Sequence, residues 1–384
     1  MRGVARVSPR RKVPAMSLPF AVNSSLENLP VYQPGRPIEE VARELGMEFD
    51  AVIKLASNEN PLGPSPKAVE AMEQAVRLVH LYPDGNAFYL KNHLADTLGV
   101  ETGNLIFGNG SNEIIEFIAH AMLGRGDSIV VSEYCFAIYP IVAKMMGADV
   151  ITVPAKDYGH DLPAMLDAVS DRTRIVFVAN PNNPTGTLAP REDVIELVSG
   201  LPEHVLLVMD EAYVEYLDDP VDLLSLIRRG DHPNLFVTRT FSKIYGLAGL
   251  RVGYGVGHPD FVAGLEKVRE PFNVNSLAQA GALAALDDED HVNRTRAVNR
   301  EGLEYLEGAF RKLGTEYVPS HGNFVLARVG DAASVFSKLQ QRGVITRPVA
   351  GYGLAEWLRI SVGTADQNAR CVEALRDVLP EGGL

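Results

Sequence analysis

Six short apolar runs alternate with helical patterns through the middle of the chain, and that alternation limits the fold more than any other feature. The runs are Ser128–Ser132, Val150–Val153, Ile175–Val178, Val205–Met209, Leu235–Thr238 and Val252–Val256. Each is short enough for a strand buried on both faces. Between them, near Ile138–Met146, Pro163–Val169, Pro190–Val198 and Asp260–Val268, apolar residues recur at helical spacing. The pattern predicts an α/β unit with a mostly parallel sheet, in which ligands collect beyond the carboxyl ends of the strands. After Asn275 the texture changes. A long helical region from Leu277 to about Leu313 precedes strands at Phe324–Val329 and Trp357–Val362 and helices at Ala332–Gln341 and Ala365–Val378. This second part reads as a smaller α+β domain.

The expected division is therefore an N-terminal arm over 1–27, an arm and helix over 28–52, a large α/β domain over 53–275 and a small domain over 276–384. Arg2, Arg6, Arg10, Arg11 and Lys12 make the first stretch basic, without acids, so it reads as a disordered or added segment. Residues 28–52, with a helix-like run from Ile38 to Leu45, are expected on the small domain or on a partner subunit.

Composition narrows the class of partner. The chain has 384 residues, 46% of them hydrophobic, and a net charge of −13. That acidic balance argues against nucleic acid or an anionic membrane as partner, and no apolar run has the length of a membrane span. Two cysteines, Cys135 and Cys371, cannot build a disulfide framework and suit a reducing cytosol.

The residues that could carry chemistry cluster at the ends of the predicted strands. Lys243 follows Ser242 where Leu235–Thr238 leaves the sheet, and three glycines and Arg251 come soon after. Desolvation there would lower the lysine's pKa and free its amine as a nucleophile, although a solvated loop lysine has the same local sequence. Gly110-Ser111-Asn112-Glu113 opens a helix directly after a strand, which suits an anion such as phosphate and equally an ordinary glycine turn. Asn180-Pro-Asn-Asn-Pro-Thr-Gly186 is a rigid loop whose Asn183 amide could donate to a phenolate. Asp210 ends an apolar run, where a buried carboxylate needs a partner. A protonated ring nitrogen, a salt bridge or a helix cap would each satisfy it. Tyr213 follows at the same crevice. Phe136 could lie flat on a ring or simply pack in the core. Arg251 could bind phosphate bidentately, while Arg347 and Arg359 could meet an anionic substrate or a structural carboxylate.

In order and spacing, Asn183, Asp210, Tyr213, Ser242-Lys243 and Arg251 resemble the fold type I aminotransferases that use pyridoxal 5'-phosphate. Within that group the chain is similar to the histidinol-phosphate aminotransferases, through Asn58-Glu-Asn-Pro-Leu-Gly-Pro64, Tyr82-Pro-Asp84, the Asn180–Gly186 loop, Phe241-Ser-Lys243, Gly246-Leu-Ala-Gly-Leu-Arg251, Pro271-Phe-Asn-Val-Asn275 and Arg359-Ile-Ser-Val-Gly363. The likeness covers about residues 28 to 380. It implies that Lys243 bonds the cofactor's aldehyde and shuttles the proton, while Asp210 holds the pyridine nitrogen protonated. Asn183 and Tyr213 would face the phenolic oxygen, with Phe136 stacked on the ring. Ser111, Asn112, Ser242 and Arg251 would take the phosphate, with Tyr82 reaching it from the other subunit of a homodimer. Tyr32, Asn58, Arg347 and Arg359 would bind substrate. The chain departs from the family at Phe136, where relatives carry tyrosine, and at Ser111-Asn112, where Ala-Asp is frequent.

The implied reaction passes an amino group between L-glutamate/2-oxoglutarate and imidazole-acetol phosphate/L-histidinol phosphate, in the cytoplasm, without a metal. A broad-specificity aromatic aminotransferase shares the same motifs. A phosphothreonine-type decarboxylase is a more distant relative in chemistry. A cofactor-binding regulator would need a further basic DNA-binding domain, which neither length nor charge accommodates.

Overall fold

A computed structural model describes residues 23–26, 29, 31–32 and 35–379. The expected basic arm therefore lies almost wholly outside the described residues. The strands run in chain order as β1 (Ile53–Lys54), β2 (Leu105–Gly108), β3 (Ser128–Ser132), β4 (Asp149–Val153), β5 (Thr173–Ala179) and β6 (Leu206–Asp210). They continue as β7 (Leu235–Thr240), β8 (Gly253–Val256), β9 (Tyr317–Val318), β10 (Phe324–Arg328), β11 (Val344–Ile345), β12 (Arg347–Val349) and β13 (Leu354–Ser361).

Seven of them form the large sheet, in the order β2-β8-β7-β6-β5-β3-β4. Strands β3 to β7 are parallel, and β8 runs antiparallel between β7 and β2. The apolar runs do not alternate with polar residues because both faces are covered. Val130, Val176, Val178, Leu207 and Val237 enter one core, and Ile129, Val131, Ile175, Phe177 and Phe236 enter the other. Strand β8 alternates with glycine for a steric reason. A Cβ on Gly255 would lie 2.5 Å from Phe236 Cζ, and one on Gly253 would lie 2.4 Å from Ser111 N. The second of these absences brings a helix start close to the sheet edge.

The second sheet is antiparallel, in the order β12-β13-β10-β9. Leu358 and Ile360 of β13 turn into its core, which also takes Leu306, Phe310 and Leu375 from the covering helices. Arg359, between them, faces the opposite side. Strand β1 pairs in parallel with β11, so the segment after the helix Ile38–Leu45 reaches across to this sheet's neighbourhood.

The long helical region expected from Leu277 is two helices, Ser276–Leu286 and Glu289–Leu313. Asp288 breaks it: its side chain accepts from His291 N and starts the second helix afresh. The first helix gives Ala278, Ala282 and Ala285 to the same core as the large sheet, so it lies on that sheet's side of the expected division at 275. The last helix, Ala365–Val378, begins at the capping box of Thr364 and Gln367, as the spacing predicts.

Candidate active site

The carboxyl ends of β2, β3, β5, β6 and β7 open onto one cleft of about 410 Å³, and every expected site residue except Tyr82 lines it. Strand β7 stops at Thr240, and the chain turns so that Lys243 enters from the floor. Lys243 Nζ donates to Ser57 O at 3.3 Å and stands 5.7 Å from the centre of the Tyr213 ring. Burial, then the charge of Arg359, brings the amine down from its ordinary 10.5 to about 8.

Asp210 ends β6 with 5% of its surface exposed. Tyr139 Oη donates to its Oδ2 at 2.7 Å and Thr238 Oγ1 to its Oδ1 at 3.2 Å. Burial pushes the carboxyl upward, while these hydroxyls, the Ala212 N–H and the charge of Lys243 pull it down. A carboxylate so desolvated, lining a cleft, suits a cationic group opposite it.

At another wall the helix Ser111–Met122 starts at Gly110 (φ 76°), whose place no side-chain cap fills. Its first N–H groups, those of Ser111 and Asn112, have no partners within the helix. Arg251 curls round the same corner in a left-handed turn (φ 56°) rather than at the start of a strand, as its sequence context suggests. Its Nη1 donates to Ser242 Oγ at 3.2 Å and its Nη2 to Asn109 O at 3.3 Å. A Cβ on Gly110 would sit 2.6 Å from Arg251 Nη2, so glycine is what admits the guanidinium. Glu113 braces the loop from behind, accepting from Asn109 N at 2.7 Å and from Asn273 Nδ2 at 2.7 Å.

Arg359 forms the roof. Its Nη2 donates to Ala56 O at 2.8 Å and its Nη1 to Asn183 Oδ1 at 2.5 Å, while its buried Nε has no partner. Asn183 thus has its amide oxygen engaged, leaving its NH₂ as donor to the cleft. Arg347 lies over the Tyr32 ring at 5.7 Å, at the outer rim. Asn58, expected on substrate, has both ends of its amide engaged elsewhere. Its Nδ2 donates to Tyr213 Oη at 2.9 Å and its Oδ1 accepts from Ser361 Oγ at 3.0 Å. Tyr213 is pushed up to about 12 by burial, so its hydroxyl keeps a proton to donate. Tyr82 is 84% exposed, stacked on Phe272 at 4.9 Å, outside this chain's own cleft.

Sequence reasoning missed Tyr139, Thr238 and Glu113 as site residues. Tyr139 follows Phe136 by three residues, and a buried tyrosine hydroxyl needs an acceptor. Thr238 is the register partner of Asp210 across β6 and β7.

The cleft fits pyridoxal phosphate: an amine of lowered pKa for the aldehyde, a buried carboxylate for a ring cation, and an uncapped helix start with an arginine for the phosphate. Among the described residues no group of His, Cys, Asp and Glu could hold a metal ion, and no helix is long and apolar enough to cross a membrane.

Comparison with known proteins agrees with this geometry. The model of the family "Aminotransferase class I and II" matches residues 50–375. A histidinol-phosphate aminotransferase of Akkermansia muciniphila is 50% identical over 365 residues, covering 95% of this chain and 100% of that protein. Histidinol-phosphate aminotransferase 1 of Thiobacillus denitrificans is 53% identical over 350 residues, 91% of either chain. Among solved structures, a histidinol-phosphate aminotransferase of Sinorhizobium meliloti in complex with pyridoxal-5'-phosphate superposes with a TM-score of 0.85 at 30% identity, over 95% of this chain and 99% of that one. The chain belongs to the class I and II aminotransferases and, within them, to the histidinol-phosphate aminotransferase family.

Proposed function

We propose that the chain transfers an amino group between L-glutamate and imidazole-acetol phosphate, giving 2-oxoglutarate and L-histidinol phosphate in histidine biosynthesis. The observation that carries this reading is the meeting of Lys243, Asp210 and the Ser111/Arg251 corner in one cleft beneath Arg359. Pyridoxal phosphate, when bound, supplies an aldehyde and a cationic ring that withdraws electrons from the substrate Cα. Asp210 holds the ring N–H, and Asn183 Nδ2 and Tyr213 Oη donate toward the phenolic oxygen. The N–H groups of Ser111 and Asn112, with Ser242 and Arg251, hold the phosphate. Lys243 Nζ, neutral in a large fraction near pH 8, would take the proton from the substrate Cα and deliver it to the cofactor carbon that bore the aldehyde. Arg359, whose Nε lacks a partner, receives the substrate carboxylate.

Two arginines at the substrate end, Arg359 inside and Arg347 at the rim, suit a substrate with two anionic ends. A neutral aromatic side chain would leave Arg347 facing an apolar group, which disfavours the broad aromatic reading. Turnover should therefore favour histidinol phosphate over phenylalanine by about tenfold or more in kcat/KM, the value of one lost charged contact. Equal or greater turnover of phenylalanine would overturn the assignment.

The enzyme we propose is a homodimer. Val76, Leu78, Val79, Leu81, Tyr82, Phe88 and Tyr89 are all 50% exposed or more along one stretch. So much apolar surface in sequence marks an interface, and it carries Tyr82 toward the partner's phosphate corner. The buried thiols Cys135 and Cys371 support a cytosolic location for the proposed enzyme.

A further inference from the structure

Tyr139 has no solvent exposure and touches two residues that the cofactor would meet. Its ring stacks on Phe177 (centres 4.6 Å apart, planes within 5°) and meets the Phe136 ring edge-on at 5.6 Å. Its hydroxyl donates to Asp210 Oδ2 at 2.7 Å. Thr238 holds the other carboxyl oxygen from β7, at the longer distance of 3.2 Å. The two oxygens are thus pinned by different elements, a helix on one side and a strand on the other. Of the two, the tyrosine contact is the shorter.

We propose that Tyr139 is a positioning residue, which aims and fixes the Asp210 carboxylate toward the cofactor's ring nitrogen while its ring edge sets the tilt of Phe136. This inference rests on the function proposed above. The direction of donation is unambiguous, because burial and the charge of Asp210 hold the Tyr139 proton in place far above neutral pH. The groups around the carboxylate are Tyr139, Thr238, the Ala212 N–H, Lys243, Tyr213 and Glu211. Only the first three donate hydrogen bonds to it. Removing the tyrosine oxygen leaves burial less opposed, so the carboxyl becomes more basic and holds less positive charge on the ring. With less positive charge on the ring, the nitrogen through which Lys243 would hold the cofactor keeps its proton to higher pH.

The test uses the full chain loaded with pyridoxal phosphate, as wild type, Tyr139→Phe, Thr238→Val and Phe177→Leu. Cofactor affinity, the pH midpoint of the visible absorbance band, and kcat and KM for glutamate are measured on each. In Tyr139→Phe affinity and kcat should each fall about tenfold, as for a hydrogen bond to a charged group. Its band midpoint should move upward and KM should stay within about twofold. Thr238→Val should shift the midpoint in the same direction by less. Phe177→Leu keeps the hydroxyl, so it should lower the melting temperature while leaving the midpoint in place. A Tyr139→Phe enzyme with wild-type midpoint and affinity overturns the proposal, as does a Phe177→Leu enzyme that shifts the midpoint equally. A wild-type chain that takes up no cofactor overturns the parent function as well, which separates the two failures.

Discussion

Lys243 shows at the scale of one residue how burial becomes chemistry. Its amine titrates near 10.5 when free and near 8 in the folded chain, a depressed value for a base. Below about pH 8 the cofactor-free protein therefore carries the full penalty of a buried ammonium. Between the two values the unfolded chain binds more protons than the folded one, so stability rises with pH. Replacing the lysine with methionine removes that term. Lys243→Met, cofactor-free, should be more stable than wild type near pH 7 in urea denaturation, and the gap should narrow steadily through about pH 10. A gap that stays constant with pH would show that the amine is not desolvated. The position of Lys243 and Asp210 was legible in the sequence because each stands at the end of an apolar run. Tyr139 was not, because its partner is 71 residues away and a buried tyrosine leaves the same periodic trace as any core aromatic.

At the scale of elements, the turn from Phe241 to Arg251 presents Lys243 and Arg251 together. Gly246 lets it do so: with φ 69°, a Cβ there would lie 2.1 Å from Gly63 O. Backbone meets backbone at that point, so no side chain can yield. Gly246→Ala should lower unfolding stability by about 1–3 kcal/mol, as overpacking does, and should weaken cofactor binding because Lys243 and Arg251 flank the turn. Unchanged stability and affinity would contradict this account of the turn. The alternating strands were readable from their apolar runs, and the helices Ile38–Leu45 and Ala365–Val378 from their periodicity and caps. The break at Asp288 was hidden inside one continuous helical pattern, since only its side-chain bond to His291 N distinguishes a cap from a surface acid. The helix Phe88–Leu98 was hidden for another reason. Its Phe88 and Tyr89 are exposed at 59% and 75%, which blurs the amphipathic pattern.

For the whole molecule, that blurring is itself informative, because those side chains belong to the apolar stretch assigned to a dimer. The chain of 41.7 kDa should sediment at twice that mass. Leu81→Asp, at a residue 57% exposed, should shift it toward the monomer without unfolding it. Cofactor affinity should fall in step, because in the proposed dimer Tyr82 of one subunit completes the phosphate corner of the other. A monomeric wild type with full affinity would refute this arrangement. In the proposed enzyme one amine, that of Lys243, holds the cofactor. Borohydride reduction of the protein loaded with pyridoxal phosphate, followed by peptide mass mapping, tests it directly. The label should fall on the peptide carrying Lys243 and vanish in Lys243→Ala. A label on another lysine, or one that survives the substitution, would contradict the account.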